Sequence, residues 1–226
     1  MNKTKENTLQ AILNQGVLPL YFEADAALSW EILKALYEAG IRVVEFTHRG
    51  VEAPDNFSFL KTKAALEMPD LYLGIGTIKT LEELNKYEKL GADFFVSPII
   101  DLGIGNRVHE IDKLWIPGCF SPTEINLAYQ AEAGLIKLFP ANLLGPNYLS
   151  SIKDLFPKQR FMPTGGVDLS EVNINSWFQA GVSAVGLGSK LIAKDLIEKR
   201  DFKTLQERTR WLLNCIEAIQ LKYVRT

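Results

Sequence analysis

Lys137 stands in LIKLFPAN (135–142), a run that otherwise reads as a buried strand. A charge there is costly unless it is paired or the group gives up its proton. A second strand-like run, VVEFTHR (43–49), carries Glu45, Thr47 and Arg49 at every second position. Side chains alternate across a strand, so these three share a face with Val43, while Val44 and Phe46 take the other. By the same parity Lys137 shares a face with Leu135 and Phe139. If both faces turn toward one cavity, a lysine, a carboxylate and an arginine converge. Two readings fit. In one, Lys137 and Glu45 form a buried structural ion pair. In the other, Lys137 is a nucleophile that forms a Schiff base with a carbonyl substrate, and Glu45 moves the protons that the imine chemistry requires. An amine attacks a carbonyl only when unprotonated; burial and a neighbouring cation favour that form, and a neighbouring carboxylate opposes it.

A second constellation suits an anion. PTGGV (163–167) leads to Asp168 as a candidate N-cap, and VGLGS (185–189) ends the last strand-like run. Glycine-rich strand ends that lead into helix N-termini present backbone N–H groups to phosphate. The alternative is tight turns that need glycine for positive φ. In LYLGIGT (71–77), Thr77 ends a strand and Gly74 and Gly76 leave room for a ligand. Pro98, after Ser97, ends another strand and is placed to shape a pocket wall. His48 lies between two inward positions and so faces outward or to the rim. His109 reads as surface, and Cys119 as a small apolar filler near the mouth.

The elements that must hold these residues alternate. Strand-like runs occur at 17–22, 43–47, 71–77, 93–98, 114–118, 135–140, 160–166 and 184–189, with amphipathic stretches between most of them. Thr80 with Glu83 three residues on is a capping box, and Ser121 is a further N-cap. Strand–helix alternation implies parallel pairing, and eight such units fit a (β/α)8 barrel, in which catalytic groups sit at the C-terminal strand ends. Segment 99–113, with its glycine-rich start, promises only a short helix or a loop. Residues 7–15 form a helix covering the barrel bottom, and a closing helix follows over about 201–222. Without linkers, the 226 residues form a single domain, its barrel over about 16–198.

Composition narrows the classes. With 25 Lys and Arg against 27 Asp and Glu, the net charge of −2 lacks the basic excess of a nucleic-acid binder. No apolar run approaches the roughly 20 residues of a membrane span, and the polar N-terminus MNKTKENTLQ lacks a signal-peptide core. Two distant cysteines make neither a disulfide framework nor a zinc site, so the cytoplasm is the expected location. Two histidines are too few for a metal-dependent sugar-phosphate epimerase, and no GxGxxG follows the first strand, which disfavours a nucleotide-dependent redox enzyme.

The motifs GIRVVEFTHR, GIGTI, GADFFVSP, IPGCFSPTEI, IKLFPAN and RFMPTGGV, in this order and spacing, resemble those of the 2-keto-3-deoxy-6-phosphogluconate (KDPG) and 4-hydroxy-2-oxoglutarate (KHG) aldolases, from about Gly16 to Ala193. The resemblance implies a class I aldolase on a (β/α)8 barrel, a lyase that cleaves a 2-keto-3-deoxy sugar-acid phosphate or 4-hydroxy-2-oxoglutarate to pyruvate and an aldehyde. It implies that Lys137 forms the Schiff base and Glu45 is the general acid/base. Arg49 and Thr77 would bind the substrate carboxylate, and Pro98 and Phe139 would shape the pocket. Gly165, Gly166, Gly188 and Ser189 would bind the distal phosphate. It also implies a small keto-acid substrate, a homotrimer, and neither metal nor cofactor. The galactonate-type epimer of the substrate, or a non-catalytic phosphosugar-binding barrel, remain the alternative readings. The sequence departs from the family at IIDLGIGNRVHE (99–110), at His48 in place of an aliphatic residue, at Asn142 in place of glutamate, and at Lys190 in place of tryptophan.

Overall fold

Each strand-like run becomes a short strand, the fifth becoming two, and most of the turns that follow open on a side chain that caps the next helix. The computed structural model describes residues 3–223. The chain runs α1 (Lys5–Gln15), β1 (Val17–Tyr21), α2 (Ala26–Glu38), β2 (Val43–Thr47), α3 (Ala53–Glu67), β3 (Tyr72–Gly76), α4 (Leu81–Lys89), β4 (Phe94–Val96), α5 (Leu102–Glu110), β5 (Leu114–Ile116), β6 (Gly118–Cys119), α6 (Pro122–Gln130), β7 (Ile136–Leu138), α7 (Ala141–Ile152), β8 (Phe161–Pro163), α8 (Glu171–Ala180), β9 (Val185–Leu187), α9 (Lys194–Glu198) and α10 (Phe202–Tyr223). Thr80 and Ser121 both cap as expected, each completing a capping box with a glutamate three residues on.

All strand pairs are parallel. Hydrogen bonding divides them into a six-stranded sheet, in the order β5-β4-β3-β2-β1-β9, and a three-stranded sheet, β6-β7-β8. The α/β class with parallel strands therefore holds, with the ladder divided at two places. One break is Pro117, which has no N–H to donate and separates β5, paired with β4, from β6, paired with β7. At the other, β8 and β9 meet through the single bridge Thr164–Gly186 and one bond from Ser183 N–H to the Phe161 carbonyl.

Two apolar layers follow from strand parity. Val44, Phe46, Leu73, Ile75, Phe95 and Trp115 face the helices. Leu18, Val43, Tyr72, Phe94, Val96, Leu114, Ile116, Leu135, Met162 and Ala184 face one another in a separate inner cluster, which Ile12 of α1 seals from below. Gln15 closes the same end: its amide nitrogen donates to the carbonyls of Val17 and Val43, and its oxygen accepts from Arg42 and Val43 N–H. The inner cluster fills the N-terminal halves of the strands. Their C-terminal halves continue inward with Glu45, Thr47, Gly74, Gly76, Lys137, Thr164 and Gly186.

One expectation needs adjustment. Asp168 does not cap α8; Ser170 does, its side chain accepting from Asn173 N–H. Asp168 instead accepts from Leu169 N–H, a local turn that competes with the cap. Segment 99–113 forms the short helix that was one of its two alternatives, the nine-residue α5, which Asp101 caps. The helix after Lys137 is interrupted at Gly145 (φ 72°), ahead of Pro146.

Candidate active site

Glu45 sits mid-strand in β2 and is 1% exposed. Its register partner on β3 is Gly74, and Gly76 lies two residues on. A Cβ on Gly76 would stand 1.7 Å from Glu45 Oε1, so this glycine is the space that the carboxyl occupies. Burial pushes the Glu45 carboxyl above its ordinary range; the charges of Lys137 and Arg49 oppose this without overcoming it. Neither carboxyl oxygen has a hydrogen-bond partner among the described residues.

Lys137 is central in β7, 5% exposed, and paired in register with Gly118 on one side and Met162 on the other. Its Nζ lies 5.0 Å from the centroid of the Phe139 ring. Among the described residues, no carboxylate oxygen lies within 4.0 Å of it. The structural ion pair with Glu45, one of the two readings of the sequence, is therefore not formed, although the two groups are close enough for each to feel the other's charge. Gly118, beside Lys137, is pressed by the strand end at Pro98, where a Cβ would meet the Pro98 carbonyl oxygen at 2.4 Å.

Three buried side-chain atoms lack a hydrogen-bond partner among the described residues: Glu45 Oε1, Glu45 Oε2 and Thr164 Oγ1. Native proteins pair nearly all such atoms, and each exception asks for a reason. All three lie on the inward face of C-terminal strand halves. An interior that leaves a carboxyl and a hydroxyl unpartnered next to a buried lysine is arranged to receive polar groups from a ligand.

A cavity of about 490 Å3 opens beside them, lined among others by Phe22, Glu23, Thr47, Arg49, Thr164, Gly165, Gly166, Gly186, Gly188, Ser189 and Lys190. Gly165 and Gly166 both take φ of +87°, which glycine adopts without strain. A Cβ on Gly166 would stand 2.4 Å from Asn142 Cβ, and Asn142 N–H donates to the Gly165 carbonyl. The N–H groups of Gly165, Gly166, Ser189 and Lys190 donate to no protein acceptor among the described residues. The Gly188 carbonyl accepts from Leu191 and Ile192 N–H, the turn that leaves the preceding amides free. Such amides form a receptor for an anion. Lys190 adds a cation at the rim, 3.6 Å from Asp168 Oδ1, with both side chains more than half exposed.

The sequence-derived residues thus fall into two neighbouring groups. Arg49, Gly165, Gly166, Gly188 and Ser189 share the cavity wall. Lys137 and Glu45 form the buried group, and half-buried Phe139, over whose ring Lys137 lies, joins it to the cavity where that ring meets Gly165. Thr77 and Pro98 sit at the ends of β3 and β4 without lining that cavity. Thr77 holds φ of +67°, a costly backbone for a β-branched residue and a mark of a site under constraint. The sequence reading missed Thr164, Phe22 and Glu23. Thr164 was within reach, because parity from inward Met162 places it inside. The minor candidates lie where expected: His48 points to the helix side against Tyr87, and Cys119 is buried in the outer core, where burial pushes its thiol up to about 12. His109 is half-buried rather than on the surface, with Nε2 3.0 Å from the Ala131 carbonyl. Among the described residues, no three His, Cys, Asp or Glu side chains are grouped to hold a metal ion.

The sequence profile of the aldolase family described as KDPG and KHG aldolase matches residues 9–208. A probable 2-dehydro-3-deoxy-6-phosphogalactonate aldolase of Rhizobium meliloti is 30% identical over 161 residues, 71% of this chain and 74% of that protein. A 2-dehydro-3-deoxy-phosphogluconate aldolase of Pseudoalteromonas atlantica is 29% identical over 209 residues, 92% of this chain and 94% of that one. The fold matches the KDPG aldolase of Legionella pneumophila, solved with pyruvate captured at low pH as a covalent carbinolamine intermediate. The TM-score is 0.82 at 24% identity, covering 91% of this chain and 97% of that one. On the match over residues 9–208, the chain belongs to the KDPG and KHG aldolase family.

Proposed function

We propose that this protein is a class I aldolase, a carbon–carbon lyase that cleaves 2-keto-3-deoxy-6-phosphogluconate or its galactonate epimer, or 4-hydroxy-2-oxoglutarate, to pyruvate and an aldehyde. The observation that carries the reading is the buried Lys137 near a Glu45 carboxyl that has no hydrogen-bond partner among the described residues. Family membership supports it.

Lys137 Nζ attacks the C2 carbonyl of the keto acid and forms a carbinolamine. Burial favours neutral Glu45, which protonates the carbinolamine hydroxyl as water leaves. The resulting protonated imine accepts the electron pair of the C3–C4 bond, while Glu45, now a carboxylate, takes the proton of the C4 hydroxyl and the aldehyde departs. Glu45 returns that proton to C3 of the enamine, and hydrolysis of the imine releases pyruvate. Arg49 and Thr77 hold the carboxylate, and Pro98 and Phe139 confine the pyruvyl group. The free amides of Gly165, Gly166 and Ser189, with Gly188 shaping their turn, take the distal phosphate or carboxylate. No metal or cofactor enters these steps.

On this reading the two sheets are arcs of one single-domain (β/α)8 barrel, supported by the inner cluster, to which residues in or just before eight of the nine strands contribute. The protein is a cytoplasmic homotrimer that binds a small keto acid and neither nucleic acid nor membrane. The free thiols of Cys119 and Cys215 suit a reducing compartment. Among the described residues, no helix is long and apolar enough to cross a membrane. Ile99, just past β4, Leu102, at the start of α5, and Phe120, just past β6, are half-exposed apolar surface for a partner to cover.

Pyruvate release from the two epimeric phosphates and from 4-hydroxy-2-oxoglutarate, followed with lactate dehydrogenase and NADH, tests the reading. Turnover of at least one that is lost in Lys137→Met supports it. No pyruvate from any of them, with folded protein, overturns it.

A further inference from the structure

Strand parity sends the His48 side chain away from the cavity that Thr47 and Arg49 line, toward α3 and α4. There His48 Nδ1 lies 2.8 Å from Tyr87 Oη, with the two rings edge to face at 5.4 Å. His48 Nε2 lies 3.8 Å from Glu83 Oε1. A carboxylate only accepts, so the proton belongs on Nε2, and the Tyr87 phenol, which burial keeps protonated, donates to Nδ1. Glu83 is engaged on its far side too: Oε2 accepts from Lys79 and Thr80 N–H at 2.7 and 3.1 Å. Tyr87 is fully buried, with Phe57 of α3 at 5.3 Å on its other side.

These contacts join two turns. The one after β2 carries Arg49, next to His48, and reaches Gly50 (φ +89°) at once. The one after β3 carries Thr77 and runs through Lys79 and Thr80 into α4. Their backbones share one direct bond, from His48 N–H to the Gly76 carbonyl at 2.8 Å. The imidazole supplies the remaining tie, through Tyr87 to the body of α4 and through Glu83 to the amides that follow Thr77. Arg49 itself is exposed and Thr77 is held off its relaxed backbone, so both depend on their turns for position.

We infer that His48 is a positioning residue for the substrate carboxylate: with Tyr87 and Glu83 it fixes the Arg49 turn against the Thr77 turn, without touching the substrate. This rests on the proposed roles of Arg49 and Thr77. It also gives the polar residue at position 48, where the family resemblance leads one to expect an aliphatic side chain, a task that an aliphatic side chain cannot perform.

The test is the pyruvate dependence of borohydride inactivation, measured on the full-length protein, its His48→Phe, His48→Asn and Tyr87→Phe variants, and the His48→Phe/Tyr87→Phe double. His48→Phe and Tyr87→Phe each raise the half-saturating pyruvate concentration by about 5- to 10-fold, the loss expected for one hydrogen bond. The limiting rate at saturating pyruvate stays within two-fold, because Lys137 is untouched. The double variant is no worse than the worse single, and His48→Asn, which keeps an acceptor toward Tyr87, recovers part of the loss. Half-saturation unchanged in the variants, or a lower melting temperature with unchanged half-saturation, overturns the inference and leaves the aldolase reading standing. No adduct on the unsubstituted protein overturns both.

Discussion

Gly76 makes room for Glu45: a Cβ at position 76 would stand 1.7 Å from Glu45 Oε1, 2.5 Å from the carboxyl carbon and 2.8 Å from Cγ. The glycine in G-x-G of β3 is therefore set by a carboxyl on the neighbouring strand. Gly76→Ala overpacks the interior, at a cost of about 1–3 kcal/mol. The clash is with one side chain, so Glu45→Ala relieves it. Thermal unfolding of the two single variants and the double is expected to show strong non-additivity, with Gly76→Ala losing most of its penalty in the Glu45→Ala background. Additive losses would mean that the glycine is required for another reason.

Removing the proton-transfer capacity of Glu45 while keeping its shape separates chemistry from packing. Glu45→Gln is expected to lower kcat for pyruvate release by about 10²- to 10³-fold, the range of a positioned general acid/base. Borohydride still traps pyruvate on this variant, because Lys137 remains, but more slowly, because imine formation has lost its acid. A kcat within a few-fold of the parent would remove Glu45 from the mechanism.

The same carboxyl weakens the fold at neutral pH. Burial raises its pKa in the folded state above the ordinary 4.5. Between those two values the folded protein holds a proton that the unfolded chain has lost, so stability falls as pH rises through that window. Each unit of the shift is worth about 1.4 kcal/mol. Glu45→Gln is neutral throughout. Its melting temperature is expected to match that of the parent below pH 4.5, to exceed it increasingly as pH rises, and then to level off. A gap that narrows with rising pH would contradict the stated direction.

Ile12 seals the inner cluster from the end remote from the cavity and is fully buried. Ile12→Ala is expected to cost about 2–5 kcal/mol in denaturant unfolding while leaving kcat unchanged under native conditions. A fall in kcat with little loss of stability would show that α1 communicates with the strand ends.

Much of this was legible in the sequence, because a parallel sheet writes itself in alternation. The eight strand-like runs hold all nine strands, each within a few residues, and parity alone put Val43, Glu45 and Thr47 on one face and Val44 and Phe46 on the other. The fifth run splits in two because Pro117 lacks a donor, which could have been read from the proline. The Asp168 cap was misplaced by two residues, since Asp168 and Ser170 both suit an N-cap and only the course of the turn chooses between them. That Lys137 and Glu45 are not in direct contact was beyond local reasoning. It depends on where two strands of different sheets place their side chains across the interior, and strand parity gives direction without distance. Thr164 was overlooked because threonine in a strand is ordinary; its unpartnered hydroxyl is what sets it apart.

The central claim is that Lys137 is the nucleophile. Incubation with pyruvate and sodium borohydride, followed by digestion and peptide mass analysis, tests it directly. A reduced pyruvyl adduct on the peptide that contains Lys137, absent in Lys137→Met, is the predicted result. No adduct on folded protein, or an adduct on another lysine that persists in Lys137→Met, would contradict it.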